Sequence, residues 1–142
     1  MRRAAYMGLV IVALTVVGVG CPGPAVVKTV PKTYDNLTKI SYAYRKATDT
    51  LNRAPNSLNE LLPYLKEHGE DTAAFLKSAD DNEDFVILWG VDYRTAVPIP
   101  VMVHEKHGKG GKRQVLRGHN IFELTDEEFK AAPFPAGYKA PI

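Results

Sequence analysis

The chain has 142 residues, enough for one small domain, and carries 18 basic side chains against 16 acidic ones. Removing Arg2 and Arg3 leaves 16 against 16, and a neutral chain argues against general nucleic-acid binding, which depends on basic surface. A lone cysteine, Cys21, excludes an internal disulfide, so the domain must stand on its own core.

The first segment, "MRRAAYMGLVIVALTVVGVG", starts with two arginines and continues through about 17 apolar or small residues, from Ala4 to Gly20. That is the layout of a secretory signal peptide over residues 1–20. It falls short of the ~20 apolar residues of a membrane span, and "CPGP" then ends any helix. "GVGC" resembles the lipobox of bacterial lipoproteins, in which the cysteine thiol receives a diacylglycerol and becomes the new N-terminus. It departs from that pattern at Gly18, where leucine is usual. The resemblance implies lipidation at Cys21, with ordinary cleavage after the small residues Gly18 and Gly20, or an uncleaved anchor, as the alternatives. Residues 21–32 then read as a tether, kept extended by Pro22, Pro24 and Pro31.

"TYDNLTKISYAYRKATDTLNRAP" predicts a long helix. Leu37, Ile40, Tyr44, Ala47 and Leu51 recur along one face, and Pro55 closes the helix near Arg53. In "NSLNELLPYLKEHG", Ser57 and Glu60 have capping-box spacing, so a short helix is expected from Leu58, with Pro63 interrupting it or starting a second turn and Gly69 ending it. "DTAAFLKSADDNED" adds a helical turn and then an acidic loop. The apolar run "FVILWGV" (85–91) suggests a central strand covered on both faces. "VPIPVMVHEKH" (97–107) follows as a second strand, with Pro98 and Pro100 limiting pairing at its start. "RQVLR" and "IFEL" make two more, joined by "GHN". Thr125 and Glu128 then cap a final helical turn, and the tail is irregular. The expected fold is α+β: residues 33–142 as a single domain, the long helix packed on an antiparallel sheet of three to four strands.

"YDNLTKISYAYRKATDTLNRAPNSLNELLPYL" and "RQVLRGHNIFELTDEEF" together resemble the globular head of type II secretion pseudopilins, and especially pilin-head-like lipoproteins of the bacterial envelope. The likeness implies a pilin-head-like fold and a binding or structural role. Assembling pseudopilins carry a prepilin leader and a long apolar stalk, which this chain lacks, so no pilus-like assembly by that route is expected. Relatives often carry an acidic residue beside the glycine before the last strand. Here Arg117 precedes Gly118, which puts a family calcium site in doubt.

No catalytic motif is recognisable. "HGKGGK" (107–112) lacks the ending and the helix of a phosphate-binding loop. His104, His107 and His119, with Glu105 assisting, are the metal candidates. A strand would point His104 and His107 to opposite faces, however, and histidines exposed to solvent are the simpler expectation. Asp80, Asp81, Glu83 and Asp84 lack EF-hand spacing and read as a solvated loop. Lys106, Lys109, Lys112, Arg113 and Arg117 concentrate positive charge on one hairpin, a candidate contact for an anionic membrane or an acidic partner. The expectation is a monomeric, lipid-anchored envelope protein facing the periplasm, non-catalytic and without a cofactor, with an envelope protein as possible partner. The alternatives are a soluble exported binder of a small ligand or metal, and a hydrolase using loop carboxylates.

Overall fold

The computed structural model describes residues 30–141. The leader, Cys21 and the tether as far as Thr29 lie outside the described residues. Helix α1 spans Lys32–Leu51, α2 Leu58–Leu65 and α3 Thr72–Phe75, with a 3-10 turn at Lys66–His68. Strands β1 (Val86–Ile87), β2 (Val103–His104), β3 (Lys112–Arg117) and β4 (Asn120–Thr125) precede α4 (Asp126–Ala131). The sheet is antiparallel in the order β1-β2-β3-β4. No helix of the described residues is long and apolar enough to cross a membrane.

Helix α1 buries Leu37, Ile40, Tyr44 and Ala47 as their spacing predicts, and adds Thr33, Asn36, Ala43 and Thr48. Each large apolar side chain withdrawn here contributes roughly 1.5–3 kcal/mol. Leu51, expected in this stripe, remains 37% exposed. The helix stops there, because Asn52 takes a left-handed conformation (φ 52°) and turns the chain away. Asn36 ties α1 to the next layer by donating from Nδ2 to the carbonyls of Ala74 (3.0 Å) and Lys77 (2.8 Å).

Alternation along β2 divides the molecule into layers. Glu105, just past the strand, faces α1: its carboxylate accepts the Ser78 hydroxyl, whose oxygen lies 3.4 Å from Thr33 Oγ1. His104 points the other way, against Phe129 of α4 and Phe134 of the tail. The sheet therefore has α1 on one face and α4 with the tail on the other.

Several sequence expectations are corrected. The run 85–91 is the edge of the sheet and not its centre, and only Val86 and Ile87 are strand. Residues 97–107 supply a strand at Val103–His104 alone. Pro98 and Pro100 cannot donate, and both the Met102 amide and residue Val103 face Leu116, a bulge that ends regular pairing. Pro63 lies inside α2 and does not interrupt it. Ser57 makes no side-chain cap. Glu60 instead accepts the Asn56 N–H and both terminal nitrogens of Arg53. The Arg53 fork, helped by that amide, holds the Glu60 carboxyl at about 2. The cap at Thr125 and Glu128 forms in both directions.

Candidate functional site

An open groove of about 550 Å³ lies between the loop after β1 and the C-terminal tail. Trp89, Asp92, Thr95, Pro98, Phe134 and Pro135 are among its walls. The loop wall is held from beneath by α1. The buried Tyr44 hydroxyl donates to the Val91 carbonyl and accepts the Val91 N–H, both at 3.1 Å. Burial pushes the Tyr44 hydroxyl up to about 12, so it stays neutral and serves this loop alone. Asp92 folds the next turn by accepting the backbone and guanidinium N–H groups of Arg94. The ion pair with Arg94 holds the Asp92 carboxyl below its ordinary value against a smaller effect of burial. The tail wall is fixed by Val101 N–H donating to the Pro133 carbonyl at 2.7 Å. Chemically, the groove offers aromatic and proline surface beside one paired carboxylate and one hydroxyl.

The histidines named from the sequence are not brought together. His104 is fully buried, not solvated. Its Nδ1 lies 2.7 Å from the Glu105 carbonyl and its Nε2 2.9 Å from the Tyr138 hydroxyl. A carbonyl only accepts, so Nδ1 carries the proton and Nε2 accepts from Tyr138, the neutral tautomer. Desolvation lowers the His104 pKa, and Arg113 adds to that effect. His119 stands edge-on to Tyr93 with ring centroids 4.8 Å apart, and His107 is exposed on the hairpin. Among the described residues, no three histidine, cysteine or carboxylate side chains are placed to hold a metal ion.

The acidic loop is not simply solvated either. Asp81 accepts the N–H groups of His107 and Gly108, both at 2.9 Å, and so fastens the basic hairpin. Burial pushes its carboxyl up, but these amides and that of Glu83 outweigh it and hold it below the ordinary value.

The five cations of the hairpin have separate fates. Lys106 pairs with Glu83 at 3.2 Å and Lys112 with Glu123 at 2.8 Å. Arg117 donates to the Ile99 carbonyl and lies over Phe122. Arg113 is 9% exposed, stacked 4.6 Å over Phe129 with Asp126 at 3.4 Å, and belongs to the core and not to a contact surface. Lys109 is exposed and has no acidic partner among the described residues.

No family model, curated protein or solved structure matches the chain.

Sequence reasoning missed the groove, because its walls come from residues more than thirty positions apart. The proline clusters at 98–100 and 133–135 were the available clue. Backbone without N–H groups lines an open cleft without leaving donors unsatisfied.

Proposed function

We propose that the chain is a lipid-anchored protein of the bacterial envelope whose α+β domain, similar to a pseudopilin head, acts by binding and not by catalysis. The observation that carries this reading is the leader ending in "GVGC", followed by a proline-bearing tether that meets α1 at Lys32. A helix packed on an antiparallel sheet is compatible with the pilin-head likeness. A binding role is supported by the commitment of the buried ionisable groups: Tyr44, His104 and Glu105 spend their polar atoms on neighbouring chain segments. The test is mass spectrometry of the protein from membranes. Cys21 should carry a diacylglycerol, and Cys21→Ser should lose that mass and leave the membrane fraction. Unmodified Cys21 in native membranes would overturn the reading.

The 550 Å³ groove favours a second reading, an exported binder of a small ligand. Thermal-shift screening of the Cys21→Ser chain separates the two. A ligand that raises Tm, with the gain lost in Trp89→Ala, supports this second reading.

A further inference from the structure

The outer rim of β1 is occupied at both ends and open in the middle. Val86 pairs with His104, and Leu88 N–H donates to the Met102 carbonyl at 2.7 Å, so both residues face β2. Alternation then turns the N–H and C=O of Ile87 outward. On that outer side Phe85 N–H already donates to Leu76 O (2.8 Å), and Gly90 N–H to Pro55 O (2.9 Å). Between these two bonds Ile87 faces a hollow of about 290 Å³ lined by Leu58, Ala73, Leu76, Phe85 and Trp89. The Ile87 amide and carbonyl have no partner among the described residues.

Unpaired backbone on a sheet edge is a template for another strand, with neighbouring pockets selecting its side chains. Here the template is recessed between α2 and α3, which excludes the edge of a folded sheet and admits a free extended segment. The hollow has room for one aliphatic side chain. Its charge is supplied by Asp84, an exposed lining residue without an ion pair among the described residues. Of the other acids in the segment 70–84, Asp71 caps α3, Asp81 holds the basic hairpin and Glu83 pairs with Lys106, so Asp84 is the carboxylate that lines the hollow.

We infer that this notch is a docking site for an extended peptide of a partner protein, one that places an aliphatic side chain in the hollow and a lysine or arginine opposite Asp84. The peptide backbone supplies a carbonyl to Ile87 N–H and an N–H to Ile87 C=O. This site is separate from the groove and does not depend on the membrane anchor.

The test uses the full 142-residue chain in detergent and a fluorescent peptide with the sequence lysine-valine-leucine-valine-lysine, blocked at both ends. Anisotropy should saturate, and the same peptide with glutamates in place of the lysines should bind at least about tenfold more weakly. Ile87→Pro removes an N–H that faces away from β2, a placement proline tolerates on an edge. It should weaken binding about tenfold, the effect of one lost hydrogen bond with its orphaned acceptor. Asp84→Lys leaves the core untouched, so it guards against misfolding in the proline variant, and it should reverse the charge preference. The proposal is overturned by no saturation at millimolar peptide, by equal binding of the two peptides, or by an Asp84→Lys chain that keeps the parent's preference. Sedimentation showing a dimer that the peptide dissociates would assign the notch to a second copy and overturn it too.

Discussion

His104 and Glu105 are neighbours in sequence, yet burial drives both toward the neutral form from opposite sides of neutrality. Glu105 is 1% exposed, and desolvation raises its pKa above the ordinary 4.5 despite the bonds from Ser78 and the Gln114 amide. Gln114 N–H donates to this carboxylate at 2.6 Å, and the Glu105 carbonyl is engaged by His104. Side-chain contacts thus replace the backbone bond that the Gln114 amide and the Glu105 carbonyl would share in a regular ladder between β2 and β3. For Glu105, with a raised folded pKa, the stabilising contribution is complete below 4.5 and is lost as pH rises through the folded value. For His104, with a lowered folded pKa, it is complete above 6.5 and is lost as pH falls through the folded value. As pH is lowered from about 6.5 the two groups therefore pull in opposite directions. His104→Gln removes only the destabilising part, so it should shift the slope of denaturant midpoint against pH, the midpoints falling less or rising more as pH is lowered. An unchanged slope would mean that another group titrates there. "HEKH" was legible as far as alternation, which separates His104 from His107. It did not reveal which one is buried, because Phe129, Phe134 and Tyr138 arrive from later in the chain.

At the scale of elements, most local patterns were readable and long-range ones were not; the Ser57–Glu60 cap failed because Glu60 is taken by Arg53 and the Asn56 amide. The α1 stripe, the β3–β4 hairpin and the α4 capping box each rest on residues within a few positions of one another. β1 and β2 depend on what lies beside them. Apolar runs that suggested two full strands deliver two residues apiece, because prolines and a bulge stop the ladder. The α1 stripe gives a direct contrast. Ile40→Asp would place an unpaired charge at a fully buried position and should cost more than about 4 kcal/mol, enough to unfold the domain. Leu51→Asp, at the 37%-exposed last turn, loses partial burial and puts a carboxylate at the helix C-terminus, and should cost only about 1–2 kcal/mol. Urea denaturation of both variants decides, and similar costs would mean that the helix buries a different face.

For the molecule as a whole, the irregular tail is structural, since it covers the sheet face opposite α1. Phe134 meets Phe129 edge-on at 5.2 Å, Tyr138 donates to His104, and Pro133 accepts the Val101 amide. The composition of "PFPAGYKAPI" predicted no helix or strand and was right in that. It carried no sign of attachment, because two aromatic residues among prolines look alike whether they are packed or free. Removing residues 134–142 would uncover Phe129, orphan the His104 acceptor and delete one wall of the groove. Two half-buried aromatic side chains contribute about 2–4 kcal/mol together, and the unsatisfied histidine adds about 1 kcal/mol or more. Domains of this size are stable by only about 5–15 kcal/mol, so the loss is a large share of the total. The truncated chain should therefore show a much lower Tm and a broadened transition, whereas ending the chain after Lys139 should cost under about 1 kcal/mol. Equal Tm values for the two truncations would show that the tail rests on the sheet without holding it, and that the layer opposite α1 is α4 alone.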